Sequence, residues 1–304
     1  MNIIILANRY ILNIGEKVGF IMKRLKFLGF LLAIPLLCGC YNSTSGGTYP
    51  DADKYLVGNQ TYNSEVTSID IDWAFGKVTL VEDTSITGAI VKEDNNLPEE
   101  EKVHSYLKGS ELLIKFFASG YRGTNINSKD KELYLTYNPN SINIYDIGIT
   151  SATLVTPKLV AKEKVIISMT SGNATVEGID APHTNIVFSS GSITVNELNS
   201  PKVSIHATSG SANIKNMNVG ELDVDMTSGD LSLSLVKFST AKINMTSGEA
   251  NITLPEDGCI ADIHKTSGTV VVSREHTVSG ERYVFGTSHS MMNINITSGK
   301  IVIA

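Results

Sequence analysis

A tripeptide of Thr or Ser, then Ser, then Gly recurs through the second half of the chain at a near-constant spacing. Successive copies are 19, 19, 19, 19, 20 and 31 residues apart, and their glycines are Gly172, Gly191, Gly210, Gly229, Gly248, Gly268 and Gly299. A unit of this length cannot bury an apolar face alone, so neighbouring units have to stack. The spacing therefore predicts an elongated repeat fold.

Apolar and polar residues alternate on both sides of each glycine. Before Gly172 stand Ile167 and Met169, after it Ala174 and Val176, and the other copies are mostly apolar at the same positions. Alternation with a period of two and many β-branched residues indicates strands with one buried face. We therefore predict an all-β fold, a single-chain parallel β-solenoid over residues 145–304. Connections between parallel strands are overwhelmingly right-handed, so we expect a right-handed superhelix.

The seven glycines are expected at a corner of each coil, where φ is positive or two backbones approach closely. They form the predicted structural turn column. Lys265 is the one charge in an otherwise apolar column, which predicts a local opening of the coil or a side chain that reaches for solvent. Residues 273–291 interrupt the spacing and are expected to form a hairpin that covers the end of the stack. Ile301–Ala304 end the chain within a coil, so an open strand edge there would allow self-association and a homo-oligomer.

The N-terminus has the features of a cleavable export signal. A basic segment after Met22 precedes an uncharged run at residues 27–37, which is too short for a membrane-spanning helix of about 20 residues. Residues 1–39 are interpreted as the signal, with Met22 as an alternative start. Leu37-Cys38-Gly39-Cys40 resembles the lipobox of bacterial lipoproteins, and that resemblance implies lipid attachment at Cys40. Residues 40–54 would then be a flexible tether.

Residues 55–144 are rich in strand patterns but less regular. The stretch from Ser68 to Leu80 reproduces the outline of the repeat, with a glycine between two alternating segments. Ser119 to Lys131 is polar and is predicted to be a loop. We interpret residues 55–144 as an irregular β cap that continues into the solenoid, with a separate domain as the alternative.

Composition and motifs favour no particular chemistry. The net charge of −6 gives no support for nucleic-acid binding. A β-helix enzyme acting on polysaccharides would need clustered carboxylates, and the nearest candidates are Asp223, Asp225, Asp230 and Glu249. Since Asp223 and Asp225 alternate with apolar residues, they are better interpreted as solvated strand charges. The histidines lack metal-ligand spacing, and Cys259 is interpreted as a small core residue. We predict no catalytic residues, no metal site and no cofactor.

The export signal with its lipobox, the irregular strands and the Ser-Gly-centred coils together resemble the family of bacterial putative adhesins with β-strand repeats, a family of unknown function. The resemblance covers about residues 65–304, and Met292–Ile303 is similar to that family's C-terminal coil. It implies a non-enzymatic surface lipoprotein that binds a surface polymer or protein. The expected location is the cell envelope, anchored on the outer side of the cytoplasmic membrane or in the outer membrane. The alternatives are a structural or envelope-stress component that self-associates and, less favoured, a polysaccharide-active enzyme.

Overall fold

The computed structural model describes residues 47–93, 97–122 and 130–304, and over these residues the chain is all-β. Tyr41–Ala304 is one compact unit that contains every described strand. The predicted export signal and Cys40 lie outside the described residues.

The first group of strands is irregular in length and spacing. It consists of β1 (Leu56–Val57), β2 (Gln60–Tyr62), β3 (Ser68–Trp73), β4 (Lys77–Glu82), β5 (Ala89–Glu93), β6 (His104–Lys108), β7 (Glu111–Lys115) and β8 (Glu132–Tyr137). The alternation of the sequence decides which face of a strand is buried. In β3, Ile69, Ile71 and Trp73 point into the core, while the aspartates between them remain partly exposed.

The second group carries the repeat. Its strands are β9 (Ile144–Ile149), β10 (Thr153–Val160), β11 (Lys164–Met169), β12 (Asn173–Asp180), β13 (His183–Phe188), β14 (Ser192–Val195), β15 (Leu198–Ala207), β16 (Ser211–Met226), β17 (Asp230–Lys237), β18 (Thr240–Met245), β19 (Glu249–Thr253), β20 (Gly258–Lys265), β21 (Thr269–Val272), β22 (Thr277–Ser279), β23 (Arg282–Gly286), β24 (Met291–Ile296) and β25 (Lys300–Ile303). Most coils have one strand before the Ser-Gly corner and one after it, as the alternation predicts.

Strands of successive coils pair in two long ladders. Ladder A contains the strands before the corner, in the order β1, β6, β7, β3, β9, β11, β13, β15, β16, β18, β24, β20, β23, β22. Ladder B contains the strands after it, in the order β2, β5, β8, β4, β10, β12, β14, β16, β17, β19, β25, β21. Pairing is parallel from β7 to β20 in ladder A and from β8 to β21 in ladder B. Among the described strands, only those added at the ends pair antiparallel.

The order of the coils in space departs from their order in the sequence at both ends. The β3–β4 coil lies between the β7–β8 coil and the β9–β10 coil. The β24–β25 coil likewise lies between the β18–β19 coil and the β20–β21 coil. The expectation that Ile301–Ala304 offer an open edge is therefore wrong, because β25 is paired on both sides. The last coil of the stack is β20–β21.

This order explains why a lysine stands in the apolar column. Lys265 pairs in register with Ile296 on one side only, and its side chain is exposed because its coil is the last one. A charge is tolerated there since the inward side of a terminal coil is open to water. Residues 273–290 then leave the stack, form the β22–β23 hairpin and pair it onto β20.

The core runs through the whole stack. Inward positions of both ladders are filled by aliphatic residues, and the largest fully buried side chains lie toward the N-terminal end, where they include Trp73, Tyr137 and Tyr145. In the regular coils aliphatic residues predominate, and Phe188 is the largest fully buried side chain there.

Candidate functional site

The corner of each repeat coil joins a glycine to a serine ladder. The seven predicted glycines have φ between +99° and +140°, a region that favours glycine. A Cβ on any of them would lie within 3.0 Å of a backbone carbonyl in the preceding coil. The glycine column therefore permits the close stacking of the corners.

The serine beside each glycine connects neighbouring coils. Its hydroxyl donates to a carbonyl one coil back, and the pairs are Ser171 to Thr150, Ser190 to Thr170, Ser209 to Ser189, Ser228 to Thr208, Ser247 to Thr227, Ser298 to Thr246 and Ser267 to Thr297, at 3.0 to 3.4 Å. The serine hydroxyls therefore hold neighbouring coils together. The threonine column beside them is exposed in the C-terminal coils and can contact a partner.

Outward-facing side chains also bond along the ladders. Asn244 donates to Asp225 at 2.6 Å, and Asn295 donates to Asn244 at 2.8 Å. On another side of the coils, Asn218 donates to Asn199, which donates to Asp180. Each chain of amides crosses three successive coils, so the outer faces repeat the same polar groups at the strand spacing.

The candidate carboxylates are divided between the two ladders. Asp225 lies 3.5 Å from Nδ1 of His206 and accepts from Asn244, while Asp230 lies on ladder B. Glu249 pairs with Lys300 at 3.2 Å, which together with a bond from Asn251 lowers the pKa of its carboxyl. Asp230 and Glu249 are register neighbours on ladder B, beside Lys300, whereas Asp223 and Asp225 lie on ladder A.

The predicted separation of His206 and His264 needs a correction. The sequence places them three coils apart in one outward column, but the β24–β25 coil lies between them. They are therefore four strands apart, or about 19 Å. In the part of the chain that the structure describes, no group of three or more His, Cys, Asp or Glu side chains could hold a metal ion.

A buried ion pair that the sequence did not predict lies at the N-terminal end. Lys131 is fully buried, and its Nζ lies 3.3 Å from Oε2 of Glu93. The same Nζ donates to the carbonyl oxygens of Glu101, at 2.7 Å, and Phe116. The Glu93 carboxylate also accepts the backbone N–H of Val103, so its charge is not left unsatisfied. Lys131 is the last residue of the predicted loop and has no regular secondary structure, but its side chain is buried.

Aromatic rings complete the surroundings of this ammonium group. Nζ of Lys131 lies 4.9 Å from the ring centre of Trp73, 4.5 Å from Phe116 and 5.5 Å from Phe117. Burial lowers the pKa of Lys131 to about 8, because the loss of hydration destabilises the charged amine more than the carboxylates of Glu93 and Glu101 stabilise it. No polar motif in the sequence links Lys131 to Glu93, so only the fold reveals the pair.

Lys131 also has a place in the corner column. The backbone N–H of Lys77 donates to its carbonyl at 3.0 Å, as each later corner contacts the one before it. The lysine therefore occupies the corner of the outermost coil, next to Gly76. Because its amine is fully enclosed and hydrogen-bonded, we interpret the pair as a fastening for this end of the core.

Cys259 is the remaining residue that the sequence analysis singled out. Cys259 is buried, and burial raises the pKa of its thiol to about 12, so it is a core residue without thiolate character. Over the described residues, no helix has the length and apolar character needed to cross a membrane.

The fold and its corner column define a β-solenoid-like repeat protein. The chain belongs to the Toastrack family, DUF4097, whose model matches residues 125–304. This family membership agrees with the resemblance found in the sequence.

Solved structures with a similar fold include two from Bacteroidetes. A putative adhesin from Parabacteroides distasonis is 16% identical, covers 82% of this chain and 97% of its own, and has a TM-score of 0.52. A putative adhesin from Bacteroides fragilis is 12% identical, covers 83% and 97%, and has a TM-score of 0.50. At this identity the likeness shows the fold alone. None of the curated proteins matches this chain.

Proposed function

We propose that this chain is a non-enzymatic binding protein of the cell surface, of the adhesin type. The observation that carries the proposal is the repetition of polar side chains along the outer faces of the ladders, coil after coil. A stack of this kind is suited to a partner that is itself extended or repetitive, such as a surface polymer, because solenoids bind along their length. Relatives described as putative adhesins support the same class of function.

The binding surface is best sought on ladder B. Its outward positions include Thr175, Ser232 and Asn251, which are exposed and carry no charge. The test is adherence of the Tyr41–Ala304 unit to whole cells and to isolated envelope polymers. Replacing Ser232 and Asn251 by Arg is expected to reduce adherence without changing the unfolding midpoint. Replacing the exposed Lys242 of ladder A by Gln is the control. Absence of adherence to any surface would remove the basis of the proposal.

A lipid anchor at Cys40 is part of the same proposal. The basic segment, the short uncharged run and the final Leu-Cys-Gly-Cys support it, and two acyl chains would hold the protein firmly at a membrane. Cells expressing Cys40→Ser are expected to lose fatty-acid labelling of the protein, whereas Cys38→Ser should keep it. Equal labelling of both variants would exclude Cys40 as the attachment site.

The alternative of a self-associating structural component is separable by light scattering. An open edge at residues 301–304 would support it, but these residues lie inside the stack. A strictly monomeric Tyr41–Ala304 unit would argue against it, and a concentration-dependent mass would restore it.

A further inference from the structure

Three of the four ladder ends are covered by antiparallel strands. At the N-terminal end β6 covers β7 in ladder A, and β5 covers β8 in ladder B. At the C-terminal end β23 covers β20 in ladder A. The fourth end is β21, which among the described residues pairs only with β25.

The free edge of β21 presents main-chain hydrogen-bonding groups. The N–H of Thr269 donates to Gly299, and the N–H of Ser273 donates to Ile303, so these residues face β25. Residues of a strand alternate between its two neighbours, so the N–H and C=O groups of Val270 and Val272 point away from β25. An uncovered edge of this kind is a template for pairing with another strand.

An apolar wall stands behind this edge. Tyr283 and Phe285 pair with Ala261 and Cys259, which face the core, so their rings face the core side as well. Val278 pairs with Tyr283, faces the same way and is 53% exposed. The hairpin therefore extends the inner face of ladder A by two strands beyond the level of β21.

We propose that the edge of β21 accepts an extended segment of a partner polypeptide as one added antiparallel strand. Strand addition of this type gives affinity through main-chain bonds and specificity through alternate side chains. The inward side chains of the segment would be apolar and would contact the exposed Val278 and the His276 ring, which packs on Tyr283 and Phe285 at 5.6 Å, while the other side chains would be polar. This site is separate from the outer faces, and its existence does not depend on adhesion.

The molecule itself shows what fits such an edge. At the opposite end, β5 pairs antiparallel with β8 and turns Ala89 and Val91 into the core, with a half-buried Ile90 between them and an exposed Lys92 after them. A strand of the same alternating kind would complete ladder B at β21.

The hairpin favours a single strand over a second copy of the whole chain. If two copies paired β21 with β21 in one continuous sheet, the β20 strand of one copy would come to the level of β23 in the other. That space is already filled, because β23 and β22 rise about 10 Å above β20 at two strand spacings.

The test adds a strand to the chain's own C-terminus. Residue Ala304 follows β25, so a linker of Gly-Ser-Gly-Ser needs to cross about 10 Å to reach the edge beside Val272, and such a linker spans about 11 Å. The appended segment is Thr-Val-Thr-Val-Thr. Two matched controls carry Thr-Pro-Thr-Pro-Thr, which cannot donate at alternate positions, or Gly and Ser alone.

Amide exchange at Val270 and Val272 is the readout, followed by NMR on the Tyr41–Ala304 unit with each extension. We expect at least about tenfold slower exchange with the Val extension and none of this slowing with either control. Val272→Pro removes one outward N–H and should cancel the slowing at Val270. Equal exchange with all three extensions would overturn the proposal. Slow exchange without an added strand would also overturn it, because the edge of β21 would then be covered by another part of the chain. If this protection increases with protein concentration, a second copy covers the edge instead.

Discussion

The two ends of the stack close the same core in different ways. At the N-terminal end both ladders carry two further antiparallel strands, and Lys131 joins Glu93, two carbonyls and three aromatic rings inside the core. At the C-terminal end a single hairpin covers ladder A, while ladder B stops at β21. The difference is that antiparallel strands cover both parallel ladders at the N-terminal end, whereas at the C-terminal end parallel ladder B ends on the uncovered strand β21.

The largest expected effect comes from breaking the N-terminal fastening. Lys131→Met should lower the free energy of unfolding by about 3–5 kcal/mol, because it leaves the buried Glu93 carboxylate without its cation. Urea denaturation of the Tyr41–Ala304 unit measures it. The control is Lys92→Met, an exposed neighbour, expected to change stability by less than about 0.5 kcal/mol.

Adding Glu93→Gln to Lys131→Met should recover part of this loss, since the unpaired charge is then removed. If Lys131→Met costs no more than Lys92→Met, the ion pair does not fasten this end.

Alanine substitution of one glycine at each end compares how tightly the backbone is packed there. Gly76 has φ +75° and Gly280 has φ +63°, so Ala strains both by about 1–2 kcal/mol. A Cβ at Gly76 would collide with the backbone of Lys131, whereas the space around Gly280 in the hairpin turn is open. Gly76→Ala should therefore cost about 2 kcal/mol more than Gly280→Ala in the same urea experiment. Equal losses would mean that the corner of the N-terminal coil is able to shift.

The pH dependence of stability should differ between the chain and its Lys131→Met variant. Folding lowers the pKa of Lys131 from 10.5 to about 8, so between these values the unfolded chain binds a proton that the folded chain has lost. Stability therefore rises with pH in this window, by about 1–2 kcal/mol from pH 8 to pH 10 relative to Lys131→Met. Burial raises the pKa of the Cys259 thiol to about 12 and acts in the opposite direction, but equally in both proteins.

Urea midpoints at half-unit steps of pH measure this difference. Glu93, Glu101 and His104 face the lysine, and all three are present in both proteins. Parallel stability curves from pH 8 to pH 10 would show that the Lys131 amine keeps its ordinary affinity for protons.

The sequence predicts those features of the two ends that only a few residue types can provide. The strands, the corner glycines and the exceptional place of Lys265 follow from the alternation, because a buried face and a positive φ restrict the residue types. The order of the coils does not follow, since coils with the same apolar columns fit anywhere in the stack. Lys265 was the one signal that its coil is terminal. Lys131 was unpredictable because a lysine in a polar stretch is normally exposed, and its partners Glu93 and Glu101 lie at least 30 residues away.

The smallest effect is expected at the ion pairs of the C-terminal hairpin. Arg282 binds both carboxylate oxygens of Asp262, at 2.8 and 2.9 Å, and these bonds lower the pKa of Asp262, yet the pair lies at the surface. Exposed pairs add little to global stability. Arg282→Gln should therefore leave the urea midpoint unchanged within error while the amides of β22 and β23 exchange faster. Since the hairpin forms the wall behind β21, the same variant should weaken protection of Val270 by the appended Val strand. A shifted midpoint with unchanged hairpin exchange would mean instead that the C-terminal end unfolds together with the stack, as permanent as the other end.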